Sequence, residues 1–161
     1  MVVIVMGVSG SGKTTIGSRL AEDLGWYFLD ADDFHSPENI RRMADGQPLT
    51  EQDRQPWLTR LHGEIARSLQ TGENLVLACS ALKASSRERL DAGDPTVRYV
   101  FLRGSEELIR ERLRNRSGHF MKADLLASQF ATLEEPADAI TMDIDDRPRR
   151  IVEKIRMALG L

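Results

Sequence analysis

Short apolar runs alternate along this chain with longer stretches in which apolar residues recur every three or four positions. That alternation predicts an α/β fold, a parallel sheet covered by helices. The first run, Val2–Met6, is apolar at every position, as in a strand buried on both faces. From Lys13 to Leu24, Ile16, Leu20 and Leu24 fall on one helical face, and Gly25 supplies the stop. Residues 26–30 read as a second strand and residues 36–44 as a short helix, with Pro37 suited to its first turn. A longer helix is expected over residues 53–69, with Trp57, Leu58, Leu61 and Ile65 inward and Gly72 near its end. Strands follow at 74–79 and 97–102, and Ser105 with Glu106 and Glu107 opens a capped, acid-rich helix. A helix over 122–133, a strand over 139–144 and a helix over 147–159 complete the pattern. Five strands joined by right-handed crossovers would gather ligands at the strands' carboxyl ends.

The chain's 161 residues suit a single domain. No apolar run approaches the roughly 20 residues that span a bilayer, and residues 2–6 are too few for the apolar region of a signal peptide. A single cysteine, Cys79, excludes an internal disulfide framework and fits a reducing cytoplasm. The net charge of −3 provides no global field for nucleic acid, so neither nucleic acid nor a membrane is expected as a partner. Any anionic ligand must be held by local clusters of Arg and Lys.

Gly7-Val8-Ser9-Gly10-Ser11-Gly12-Lys13-Thr14 matches G-x-x-x-x-G-K-[ST] in full, between an apolar strand and an amphipathic helix. The glycines let backbone N–H groups converge on one anion, and the helix that follows aims its positive end there. The eight motif residues and Thr15 are expected to bind ATP, with Lys13 on the β- and γ-phosphates and the Thr14 hydroxyl on Mg²⁺. The second strand ends in Asp30-Ala31-Asp32-Asp33. If the strand persists, Asp30 and Asp32 share a side and Asp33 points away. Asp32 is then the acceptor-side base and Asp30 a metal-side or supporting carboxylate. The third strand ends in Cys79-Ser80 rather than in a Walker B aspartate, and no Asn-Lys-x-Asp tetrapeptide occurs, which disfavours a motor or a GTPase.

Further blocks are more discriminating. Asp32-Asp33-Phe34-His35, Asn39-Ile40 with Met43, Gly46 with Pro48-Leu49, Asp53-Arg54 with Pro56-Trp57, and Cys79-Ser80-Ala81-Leu82-Lys83 with Arg87 occur in order. Gly118-His119-Phe120, Leu125-Leu126, Ser128-Gln129-Phe130, Leu133-Glu134 and Pro136 follow. Together these resemble the gluconokinase family over residues 4–136, with Ala31 where that family often has glycine. The resemblance implies a three-layer P-loop fold like that of shikimate and adenylate kinases, a mobile lid, transfer of the ATP γ-phosphate to the 6-hydroxyl of gluconate, and a homodimer. Shikimate kinases, nucleoside monophosphate kinases and a catalytically silent nucleotide-binding module are the alternatives; the first two leave the CSALK and GHF blocks unexplained.

A sugar acid needs cations for its carboxylate and donors for its hydroxyls. Arg54 and Lys83 are assigned to that site and His35 to a sugar hydroxyl, with Arg87 and Asn39 as further candidates. Arg112 and Arg116, one helical turn apart, would share a face at the start of a lid over residues 112–124. Arg112 is placed on the nucleotide and Arg116 on the transferring phosphoryl group, with Gly118 as a hinge and His119 on the substrate. Cys79 is read as a buried strand-end residue and Trp57 as core.

Overall fold

In β1 (Val2–Met6) all five side chains are fully buried, because helices cover both faces of the strand. Its alternation feeds two cores. Val3 and Val5 join Leu20 and Ile155 on one side, while Val2, Ile4 and Met6 meet Leu58, Leu61 and Ile65 on the other. Each fully buried side chain of this size contributes roughly 1.5–3 kcal/mol. The structure, a computed structural model, describes residues 1–116 and 123–161.

The remaining elements are α1 (Lys13–Leu24), β2 (Tyr27–Asp30), a 3₁₀ turn (Ala31–Phe34), α2 (Pro37–Ala44), α3 (Glu51–Thr71) and β3 (Leu75–Ala78). After them come α4 (Ala84–Asp91), β4 (Val97–Arg103), α5 (Glu106–Arg114), α6 (Ala123–Thr132), β5 (Ile140–Asp143) and α7 (Pro148–Leu159). The five strands form one parallel sheet in the order β2-β3-β1-β4-β5. Register places Asp30 and Val5 level with Ala78, and Met6 level with Phe101. The chain therefore leaves β1, β2, β3 and β4 along one edge, and the phosphate loop, the aspartates and the Ser80–Lys83 loop meet there.

Local chemistry sets the element ends. Thr50 Oγ1 accepts from the Asp53 N–H at 3.1 Å while the Asp53 carboxylate accepts from the Thr50 N–H at 2.9 Å. This capping box starts α3 two residues before the expected 53. Ser36 caps α2 through the Asn39 N–H at 3.1 Å. Helix α4 is not among the expected elements: in ASSRERLD the one large apolar residue is Leu90, so no hydrophobic period marks it. It is held instead by burying Ser86, Arg87 and Leu90. No described helix is long and apolar enough to cross a membrane.

Candidate active site

The loop from Gly7 to Gly12 curls tightly between β1 and α1. Gly10 has φ +80° and Gly12 φ +98°, and a Cβ at Gly10 would sit 2.9 Å from Leu113 Cδ2 of α5. Only glycine combines that backbone with that approach. The Ser11 N–H donates to Val8 O at 3.2 Å, and Lys13 Nζ folds over the loop to Val8 O at 3.0 Å. The Ser11 hydroxyl is buried with no hydrogen-bond partner among the described residues, a donor held within the anion-binding turn. Thr15 is exposed on α1 just beyond the loop.

Thr14 Oγ1 donates to Asp30 Oδ2 at 2.7 Å, and Asp30 Oδ1 accepts the Asp32 N–H at 3.0 Å. That second bond corrects an expectation. The strand does not persist to Asp32: the Asp30 side chain caps a 3₁₀ turn, and the turn brings Asp32 into the cleft. Asp32 is exposed where it lines the cleft. Partial desolvation by the groups packed around its carboxyl, and then the neighbouring Asp30 charge, raises its pKa, with Lys13 acting against both. Desolvation also lowers the Lys13 pKa, opposed by Asp32, Cys79 and Asp30. Buried Cys79 is pushed up to about 12, chiefly by desolvation, which keeps it a thiol and excludes it as a nucleophile.

Opposite the phosphate loop, the His35 ring stacks on Trp57 with centroids 4.2 Å apart and planes 12° from parallel. Trp57 Nε1 donates to Ala31 O at 2.7 Å, so the indole fixes both the 3₁₀ turn and the imidazole. Trp57 is buried as expected, and it also lines the cleft. Burial, and then the Arg54 charge, lowers the His35 pKa to about 4, leaving the ring neutral near pH 7. Its buried Nδ1 finds no partner among the described residues. Arg54 and Lys83 line the same cleft and share one carboxylate, Glu51 Oε1, at 3.8 and 2.7 Å.

The structure thus gathers Lys13, Asp32, His35, Arg54 and Lys83 around one cleft, with Thr14 and Asp30 joined beside it. It does not gather the other cations. Arg87 is 9% exposed and turned away from the cleft, its NH1 donating to Ala81 O at 2.8 Å and Leu82 O at 3.2 Å. Those carbonyls belong to a loop outside any strand or helix, in which Ala81 adopts φ +44°, which costs a non-glycine residue energy. Arg87→Met is expected to raise KM for the acceptor by about tenfold, with ADP affinity little changed, because Lys83 loses its support. Steady-state kinetics with ADP titration checks this, and an unchanged KM would show that the loop needs no clamp. Asn39 likewise braces structure, donating from Nδ2 to Asp53 O at 3.0 Å.

Arg112 NH2 donates to Ile144 O at 2.6 Å, beside the loop after β5. Arg116 does not share its helical face. Helix α5 ends at Arg114 and Asn115 forms its C-cap, its N–H donating to Glu111 O at 3.2 Å. Arg116 is exposed, while His119, Gly118 and the rest of 117–122 lie outside the described residues. Sequence reasoning missed Glu51 and assigned no role to Gln129, whose Oε1 accepts the Ser9 N–H at 2.7 Å.

A family model described as an AAA domain matches residues 2–138. The chain superposes on a sugar kinase from Janibacter sp. HTCC2649 with TM-score 0.92 and 45% identity, over 99% of this chain and 94% of that one. It shares its fold with a shikimate kinase from Aquifex aeolicus vf5, at TM-score 0.59 and 18% identity over 99% and 96% of the two chains. Sheet order, phosphate loop and cleft thus define a P-loop kinase. The chain is also 44% identical to the gluconokinase of Gluconobacter oxydans (strain 621H), over 95% of this chain and 88% of that protein. It belongs to the gluconokinase family.

Proposed function

We propose that the chain transfers the γ-phosphoryl group of ATP to the 6-hydroxyl of D-gluconate, giving 6-phosphogluconate and ADP. The observation that carries the reading is one cleft lined by Lys13 and Ser9 of the phosphate loop, by Asp32, and by the cationic pair Arg54 and Lys83. Lys13 and the N–H groups of the loop hold the phosphates. Arg54 and Lys83 take the carboxylate of the sugar acid, exchanging Glu51 for it. Neutral His35 serves a hydroxyl without adding charge.

The 6-hydroxyl oxygen attacks the γ-phosphorus as the bond to the β,γ-bridging oxygen breaks, and the hydroxyl proton passes to the Asp32 carboxylate. The Thr14 hydroxyl and Asp30 carboxylate are hard oxygen donors beside the phosphate loop, and they fit Mg²⁺. That ion, when bound, neutralises phosphate charge as transfer proceeds. The proposal includes a lid over residues 112–124 that brings Arg116 and His119 to the reacting groups and excludes water. Arg112, beside the loop after β5, is placed on the nucleotide. A cytoplasmic homodimer, as the family resemblance implies, completes the reading.

ADP release with Mg-ATP is measured in the presence of gluconate, shikimate or AMP, against a control without acceptor. Stimulation by gluconate alone is expected. Stimulation by shikimate or AMP instead, or by none of the three, overturns the acceptor assignment.

A further inference from the structure

Helix α6 divides its faces between the core and the cleft. Leu126 is buried in the core on the α1 and α7 side of the sheet, and Phe130 and Leu133 pack against it. Leu125, Ser128, Gln129 and Thr132, at helical spacing i, i+3, i+4 and i+7, line the cleft. From this second face Gln129 spans 120 residues of sequence to bind the Ser9 N–H. Ser9 belongs to the phosphate loop and itself lines the cleft beside Lys13 and Asp32. Two residues past the end of α6, the Glu134 N–H donates to Leu82 O at 2.9 Å. Leu82 adjoins Lys83. The α6 segment is therefore pinned both to the loop for the donor phosphates and to the loop that carries an acceptor cation.

The chemistry of the pin is specific. Glutamine offers a strong acceptor without a charge, so it orders the Ser9 turn without repelling phosphate, as a carboxylate there would. Transfer between two bound substrates is sensitive to alignment, and a displacement of about 1 Å costs on the order of 10² in rate.

We propose that Gln129 is a positioning residue for phosphoryl transfer: through the Ser9 amide it sets the phosphate loop against α6, aligning the γ-phosphate with the acceptor hydroxyl. The inference rests on the reading of the cleft given above. Gln129→Met keeps side-chain length and removes the amide oxygen. It is expected to lower kcat with gluconate by about 10²-fold, while KM for gluconate and ADP affinity stay within about threefold. Wild-type kcat in Q129M overturns the proposal. So does a loss of ADP affinity that parallels kcat, the result of a purely structural prop.

Gln129→Glu guards against failure of that variant to fold, because it preserves an acceptor for Ser9. Its charge beside the γ-phosphate is expected to lower kcat by at least about tenfold with ADP still bound; wild-type turnover in Q129E overturns the proposal. Amide exchange gives a readout that needs no acceptor. The Ser9 N–H should be protected in the wild type and lose protection in Q129M, and equal exchange in both overturns the contact. Failure of the wild type to respond to gluconate would sink the acceptor reading alone, leaving the exchange result to decide the role of Gln129 in the loop.

Discussion

Asp32→Asn is expected to reduce kcat by about 10²- to 10⁴-fold, the range that a positioned general base supplies, while ADP binding persists. Asparagine keeps the shape of aspartate and cannot take the proton of the attacking hydroxyl. The substitution leaves the architecture alone, because the bond that builds the 3₁₀ turn runs from the Asp32 backbone N–H to the Asp30 carboxylate. The Thr14–Asp30 pair is untouched as well. Steady-state kinetics with ADP titration separates chemistry from binding. A fully active Asp32→Asn enzyme would remove Asp32 from the role of base, and a parallel loss of ADP affinity would make it a structural residue.

Lys13→Met is the second large effect. It removes the cation that folds over the phosphate loop and lines the cleft. Removing one preorganised group that stabilises developing charge typically lowers kcat by about 10² to 10³. Unlike the aspartate change, this one should also weaken ATP, because the same ammonium serves phosphates in both the ground and the transition state. Methionine keeps the aliphatic reach and gives up the ammonium's hydrogen bond to Val8 O, so the melting temperature should move by only a few degrees. Kinetics, nucleotide titration and thermal unfolding of the variant test this together. Unchanged ATP affinity with unchanged kcat would show that the loop amides suffice.

The two variants together separate chemistry from nucleotide binding. Asp32→Asn should leave nucleotide binding intact and slow transfer, whereas Lys13→Met should damage both. The contrast follows from where the groups come from: Lys13 opens α1 directly after the loop, while Asp32 reaches the cleft from the turn after β2. Partial desolvation perturbs the two in opposite senses. It lowers the lysine pKa and raises that of the aspartate, since in each case loss of water contact penalises the charged form.

Legibility followed from how local each signal was. The boundaries of β1 and α1 were readable because an unbroken apolar run and a helical period end at glycines. The phosphate loop was readable because its chemistry depends on consecutive residues, and Asp32, His35, Arg54 and Lys83 were all placed on a cleft that the fold then assembles. Helix α4 carries no hydrophobic period, so nothing in its eight residues announced it. The strand-based geometry of Asp32 failed because one side chain, that of Asp30, ended the strand by capping the next turn.

The sequence by itself determined the class of chemistry. Glycine spacing, an adjacent lysine and threonine, and a buried strand in front of them leave few uses other than phosphate binding, and these are nearest-neighbour properties of the chain. Tertiary structure alone decided which cations line the cleft. Arg87 was a further candidate beside Lys83 in sequence, yet its burial within α4 goes with a guanidinium bonded to the Ala81 and Leu82 carbonyls, while Lys83 stays on the cleft. Tertiary structure also joined Gln129 to Ser9 and laid His35 on Trp57. Such contacts depend on the parallel register of the sheet and on which helix faces are buried, quantities set by the whole chain and not by any one segment of it.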